Sequence, residues 1–282
     1  GVILLCAPDD VDSLVSRLPE NAQVLIVPAS YNDTWMRDYG FITCKDRDGN
    51  GSPVEFRFNG WGNKFNASED NLANQRYLAA MCKSVLRSSP VVAEGGALEI
   101  DEDGHLLSTA QCLLNPERNG DMSLGAYEDA FKDMLGCSKV TVLQNGHLEG
   151  DDTDGHIDTI VRFTPNKGLV IQACNNRPND SHFEGLKALC DECALELPEH
   201  KQFHLPLPYI VNDEGDRLPA SYANYLICNK SILLPVYGEE EDAEAIETVQ
   251  QAHPDHIVEP IDCSVLVRQY GSLHCISMQV PT

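Results

Sequence analysis

Apolar runs of strand length alternate with stretches of helical periodicity along the whole chain. Residues 2–7 read as a strand. Residues 9–18 read as a helix, with Val11, Leu14 and Leu18 at helical spacing behind an acidic cap, and 24–27 as a second strand ended by Pro28. The run from Phe41 to Cys44 and the alternating run 54–58 flank a turn at 45–51 rich in Asp, Asn and Gly, which predicts a hairpin. The spacing over 70–86 predicts a long amphipathic helix. After Glu94-Gly95-Gly96 the same parts return as a hairpin over 94–100 and 106–109, a helix over 124–135 and a strand over 140–143. They recur as a hairpin over 159–163 and 169–172 with a helix at 183–194. A last set has strands at 221–228 and 232–235, a helix at 243–252 and a strand at 257–261. The stretch 271–280 closes the pattern as an apolar, strand-like run.

A polar residue opens each hairpin: Asp38, Glu94, His156, Tyr222 and Cys275, separated by 56, 62, 66 and 53 residues. An interval this even marks an internal repeat of ββαβ type. Five units that cannot each bury a face alone would close around an axis as a propeller-like α/β ring, with the hairpin openings converging at its centre. An ordinary α/β sheet alternates at similar lengths, so the rhythm by itself leaves both architectures open. No linker or break in composition divides the chain, and residues 1–282 are expected to form a single domain.

Composition narrows the class. The chain has 282 residues, 42% hydrophobic and 23% charged, which suits a soluble globular protein with a sizeable core. No apolar run approaches the roughly 18–20 residues of a membrane helix. The opening apolar segment is short and lacks a basic flank, so it reads as a strand rather than a secretory signal, and a cytoplasmic location is expected. With 20 basic against 44 acidic residues the net charge is −24, which argues against nucleic acid or an anionic membrane as partner. The same charge suits a small cation, or solubility alone. Eleven cysteines without an export signal argue against a disulfide framework. Cys6, Cys44, Cys112, Cys174 and Cys228 sit in apolar surroundings and read as core residues. Cys190 and Cys193 form a C-x-x-C flanked by His182 and His200. That motif alone falls short of a structural zinc set, so two unpaired cysteines on a helix are expected.

The candidate chemistry gathers at the hairpin openings. Cys275 follows His274 behind a Gly-Ser turn, the setting of an accessible nucleophile. If the ring closes, Asp38, Glu94, His156, Asp158 and Cys275 face one small space. A guanidinium carbon is a poor electrophile because its charge is delocalised. It needs a strong nucleophile, carboxylates that fix its nitrogens, and an acid that protonates departing ammonia. Paired carboxylates bind one planar cation through charge-assisted hydrogen bonds, and that cation in turn lowers the pKa of a nearby thiol. A different class of reading uses the loop from Asp151 to Asp154, with His147 and Glu149, as a divalent-cation site in a binding protein or metallohydrolase. The loop does not follow EF-hand spacing, and this reading leaves Cys275 and Glu94 idle.

Four ordered motifs, Trp35-Met36-Arg37-Asp38-Tyr39-Gly40, Glu94-Gly95-Gly96, Gly155-His156-Ile157-Asp158 and Leu273-His274-Cys275, resemble the agmatine deiminase family. That family lies within the guanidino-group-modifying superfamily, together with arginine deiminases and bacterial-type peptidylarginine deiminases. The resemblance runs from about residue 32 to 281. It implies a five-bladed pseudo-symmetric α/β propeller of the pentein type and hydrolysis of agmatine to N-carbamoylputrescine and ammonia, with no metal or organic cofactor. It implies Cys275 as nucleophile, His156 as general acid/base, and Asp158 and Asp38 as the carboxylates that grip the guanidinium. Glu94 matches an acid that orients the histidine and lines the pocket, and Trp35 and Asp152 stand where the family places substrate contacts. At position 152 the family pattern has a longer Glu, at Phe41 it has Pro, and its N-terminal Trp-Pro segment has no counterpart ahead of Trp35. Peptidylarginine and free arginine are the alternative substrates. No basic residue in these motifs stands ready for an α-carboxylate, which favours agmatine. The expected partner is a small guanidino cation, and a homo-oligomer is left open.

Overall fold

A computed structural model describes residues 1–45 and 48–281. Residues 46 and 47 of the expected turn lie outside the described residues. Fourteen described strands form five small sheets. Four of them share one topology, an antiparallel hairpin extended by a parallel third strand. The first joins β3 (Ile42–Lys45), β4 (Gly51–Arg57) and β5 (Arg87–Val92). The second joins β6 (Glu99–Ile100), β7 (His105–Thr109) and β8 (Lys139–Leu143). The third joins β9 (Val161–Thr164), β10 (Gly168–Gln172) and β11 (Lys201–Leu205). The fourth joins β12 (Leu226–Cys228), β13 (Ser231–Val236) and β14 (Ile257–Asp262). β1 (Val2–Cys6) and β2 (Val24–Pro28) pair in parallel as the fifth sheet. The spacing reading missed β11, which carries too few apolar residues between Pro198 and Pro206 to stand out.

Parallel neighbours cannot be joined by a tight turn, so each third strand is reached through a crossover. Helices Leu124–Leu135, Phe183–Glu196 and Asp242–Ala252 fill three of these crossovers. The first shows why they form where they do. The Ser123 side chain caps it by accepting from the Ala126 amide, and Gly136 ends it in the left-handed region at φ 77°. Tyr127, Phe131 and Met134 fall on one stripe and are buried, with the Phe131 ring edge-on to Phe56 of β4 at 5.7 Å. Cys190 and Cys193 are buried on Phe183–Glu196 beside Leu186 and Leu189, the unpaired helical cysteines expected.

Of the expected strands 94–100 and 221–228 only β6 and β12 form, the former behind a 3-10 turn at Gly95–Ala97, and two further elements differ in kind. The long helix over 70–86 is a broken coil of a 3-10 turn Asp70–Leu72, a π turn Asn74–Leu78 and a 3-10 turn Ala79–Met81, with β5 beginning at Arg87. Its polar side chains are recruited elsewhere. Asp70 Oδ1 accepts from the amides of Asn32 and Asp33 at 2.6 and 3.2 Å, and Asn71 Oδ1 accepts from Phe58 at 2.8 Å. Asn74 accepts from the Phe41 amide at 3.0 Å and donates to the Tyr39 carbonyl at 2.8 Å. The segment therefore clamps the loop on either side of Asp38, and its winding adapts to that task. The second is 271–280, which holds a turn at 273–276 and no strand. Its main chain is taken by Asn224 and Arg37 instead of a strand neighbour: Asn224 accepts from the His274 amide, and the Arg37 amide donates to the Cys275 carbonyl at 3.0 Å.

Because Phe131 is fully buried against β4, Phe131→Ala should lower unfolding free energy by about 3–5 kcal/mol. Urea denaturation followed by circular dichroism measures it, and a loss under about 1 kcal/mol would place that ring outside the core.

Candidate active site

Asp38 sits on the one-turn helix Met36–Tyr39, fixed by Trp35 before it and by the main-chain bond from Arg37 to Cys275. Its Oδ1 accepts from the Gly96 amide at 3.0 Å, and its Oδ2 from the Trp61 indole at 2.9 Å. Gly96 lies in the turn Gly95–Ala97 that follows Glu94. A Cβ added to Gly96 would lie 2.6 Å from His156 Nδ1, 2.7 Å from Asp38 Oδ1 and 3.2 Å from Asp158 Oδ2. Three expected site residues thus converge on one point, and only glycine leaves that point open. His156 Nδ1 itself is 3.6 Å from Asp38 Oδ1.

Cys275 lies in the 273–276 turn, partly buried, with its thiol donating to Asn224 Oδ1 at 3.3 Å. The same oxygen receives the amides of His274 and Cys275, at 3.0 and 3.3 Å. The fourth hairpin opening therefore reaches the thiol turn through Asn224. Tyr222, the residue the repeat spacing marked, turns its hydroxyl to Asp242 at 2.7 Å. Trp35 packs in an aromatic cluster with Tyr39, Phe58 and Trp61, and Cys275 lies against that cluster. A Cβ at Gly271 would come within 2.4 Å of the Trp35 ring, so the Gly-Ser turn and the indole fit each other closely.

The acids differ in partners. Both Glu94 oxygens accept from Arg118 Nε, at 3.0 and 3.2 Å. No hydrogen bond links Glu94 to His156; their ligand atoms, with the Cys112 thiol, lie within 4.8 Å of one another. Glu94, Cys112 and His156 are the described residues that could jointly hold a metal. The Arg118 guanidinium already fills the anionic side of that trio, so the donor set suits a cation poorly. In the acidic loop, Asp151 closes its own turn by accepting from Thr153 and Gly155, and Asp154 is taken by Lys64 and Arg118. Asp151 and Asp154, two of the three loop carboxylates the divalent-cation reading needs, are thus spent on the chain. Asp152 is half-buried and its carboxylate has no hydrogen-bond partner among the described residues; burial and the neighbouring Asp151 push it up to about 6.

Electrostatics sharpen the centre. Burial, then the charge of Asp158, pushes Asp38 well above the usual carboxylate range, with the Trp61 and Gly96 bonds opposing. Burial raises Asp158 to about 7 although Arg162 and Arg37 pull it down. Burial, followed by the same two carboxylates, pushes the Cys275 thiol well above its ordinary value. Burial holds His156 well below the ordinary imidazole range, so it is neutral. His156 Nε2, Asp158 Oδ1 and Asn224 Nδ2 are buried without partners. The site therefore holds raised acids, with an open carboxylate oxygen, an open imidazole nitrogen and one spare amide donor that have no partner among the described residues.

Trp61, Arg118, Arg162, Asn224 and His274 contribute to the site without having been assigned to it from sequence. Trp61 had a signal in Gly60-Trp61-Gly62, because its own backbone is left-handed at φ 56° between two positive-φ glycines. His274 had one in its place directly before Cys275, while Arg118, Arg162 and Asn224 lie in ordinary contexts.

The Porphyromonas-type peptidyl-arginine deiminase family profile matches residues 1–281. A "Putative agmatine deiminase" of Vibrio parahaemolyticus is 31% identical over 287 residues, covering 93% of this chain and 79% of its own. The crystal structure of the "Putative Arginine Deiminase from Porphyromonas gingivalis" superposes with a TM-score of 0.92 at 40% identity, covering 99% of this chain and 84% of that one. A cysteine-to-serine variant of the C. jejuni agmatine deiminase with substrate bound superposes at 0.87 with 30% identity, covering 97% and 80%. The chain belongs to the Porphyromonas-type peptidyl-arginine deiminase family and is an enzyme.

Proposed function

We propose that this enzyme hydrolyses the guanidino group of agmatine to N-carbamoylputrescine and ammonia through a covalent intermediate on Cys275, within one catalytic domain whose five sheets close as a five-bladed α/β propeller. The observation that carries it is the convergence of Asp38, Asp158 and His156 over Gly96, with both carboxylates pushed toward the protonated form, chiefly by burial. A guanidinium placed between the two carboxylates supplies the missing charge. It draws protons off both acids and off the thiol, so Cys275 becomes a nucleophile when substrate arrives.

The steps balance as follows. The Cys275 thiol gives its proton to His156, and sulfur attacks the guanidinium carbon. The protonated His156 hands that proton to one nitrogen, which leaves as ammonia, and a cationic amidino-thioether remains. Water then attacks the same carbon, with His156 taking one of its protons. The C–S bond breaks, His156 returns that proton to the sulfur, the second water proton leaves with the ammonia as ammonium, and the neutral ureido product departs. Asn224 accepts from the thiol and the two turn amides and so aims the sulfur. The free Asp152 carboxylate supports a substrate with a distal ammonium, as agmatine has and free arginine offers only beside a carboxylate.

A ureido assay on agmatine, arginine and a peptidyl-arginine side by side should show the highest kcat/KM for agmatine; a peptidyl-arginine preference would overturn the substrate assignment. In the same assay Cys275→Ser should lose at least about a thousandfold in kcat, with unchanged circular dichroism. Near-normal turnover would sink the covalent route. Asp158 must be ionised to bind, and its pKa is raised, so activity is lost as pH falls through that value. The acid limb of kcat/KM should therefore lie near pH 7, and the limb of kcat lower, because bound cation favours the carboxylate. Asp152→Asn should cut kcat/KM for agmatine about tenfold while changing methylguanidine, which has no distal ammonium, by less than about twofold; equal losses would place Asp152 away from the tail.

A further inference from the structure

The histidine beside the nucleophile has no part in the steps above, yet it touches Asp158 more closely than any other group. His274 Nδ1 lies 2.6 Å from Asp158 Oδ2, and its Nε2 lies 3.4 Å from Arg162 Nη2. A guanidinium nitrogen can only donate, so Nε2 is the acceptor and the ring's one proton sits on Nδ1, facing the carboxylate. Arg162 is itself immobilised. Its Nε donates to Glu99 at 2.9 Å, its Nη1 to the carbonyls of Ala223 and Tyr225, and its guanidinium lies over the Tyr225 ring. Arg37 secures the other side by donating from Nε to the His274 carbonyl at 3.3 Å.

We infer that His274 is a positioning residue: a neutral imidazole of fixed tautomer that occupies Asp158 Oδ2 and leaves Oδ1, buried without a partner, for the guanidinium of the substrate. Burial, and after it the charges of Arg37 and Arg162, hold the ring well below the ordinary imidazole range. Both His274 nitrogens are engaged, by Asp158 and Arg162, whereas His156 keeps an open nitrogen for the acid/base work. This inference rests on the proposed role of Asp158 in holding a guanidinium. Asp158 is faced by Arg37 and Arg162, by the acids Asp38, Glu99 and Asp151, by His156 across Gly96, and by the Cys275 thiol. Among these groups only His274 donates a hydrogen bond to its carboxylate among the described residues.

Two substitutions separate positioning from packing. His274→Asn keeps an N–H close to the place of Nδ1, and His274→Leu keeps bulk without a donor. With agmatine, the Leu variant should raise KM at least about tenfold and move the acid limb of kcat/KM up by about one pH unit, since a carboxylate loses a stabilising donor. The Asn variant should hold the limb within a few tenths of a unit and recover most of the KM. Equal behaviour of the two variants, or an unmoved limb in the Leu variant, overturns the inference. Should the Leu variant not fold, imidazole nitrogen NMR on the wild-type protein decides the matter, with the His274 signal assigned by its loss in the Asn variant. The expected signals are those of a neutral ring with its proton on Nδ1 from pH 5.5 to 8.5, shifted only modestly as Asp158 titrates. An Nε2–H tautomer or conversion to the imidazolium in that range overturns the inference. The spectrum needs no turnover, so failure of the deiminase reading and failure of this one give different results.

Discussion

Two carboxylates, Asp38 and Asp158, are buried around a single open point above Gly96, and much of the centre is arranged to make that tolerable. Charge without water is costly, and a like charge nearby adds to the cost. The protein meets it with donors rather than with a direct ion pair. Trp61 and the Gly96 amide serve Asp38, and His274 serves Asp158, while Arg37 and Arg162 stand behind at a distance. A guanidinium of the chain seated directly on either carboxylate would satisfy it and leave nothing for a ligand. Glu94 shows that alternative, since Arg118 occupies both its oxygens.

The same constraint explains the loops. Loops from separate sheets must meet with little freedom, and none of them is a long regular element. Side chains therefore do the joining. Asp70, Asn71 and Asn74 fasten the segment around Asp38, Asn224 fastens the thiol turn, and Arg118 ties Glu94 to the loop that leads into His156. The bonds from Asp70, Asn71, Asn74 and Asn224 each take a main-chain amide out of regular secondary structure. A broken coil and a turn stand where the apolar pattern suggests a helix and a strand. Trp61 carries a further cost in its left-handed backbone, placed so that the indole N–H reaches Asp38.

The resting state of the thiol follows from these charges. Cys275 is pushed up by burial and by the carboxylates, so without a cation beside it the thiol stays protonated and weakly reactive. Under the proposed function the substrate's charge reverses that balance, and binding and activation become one event. The excess of acid over base across the whole chain adds a weak, long-range attraction for cations, screened within about 8–10 Å at physiological salt.

The sequence by itself determined the repeated hairpin, crossover and strand, because apolar periodicity and turn residues are local properties. Leu124–Leu135 and its Ser123 and Gly136 ends are legible in that way. It also marked Asp38, Glu94, His156, Asp158 and Cys275, because each opens or adjoins a hairpin at near-constant spacing and their combined chemistry suits one cation. Only the tertiary structure decided their partners. Arg118, Arg162 and Asn224 sit in unremarkable local contexts and lie 24 residues from Glu94, 63 from Glu99 and 51 from Cys275 in the chain. The tertiary structure also decided that Asn224 rather than Tyr222 reaches the thiol turn, and that His274 faces Asp158 while His156 is left with an open nitrogen. A hydrogen bond is set by direction and burial at the point where distant segments meet, and no pattern along the chain encodes that geometry.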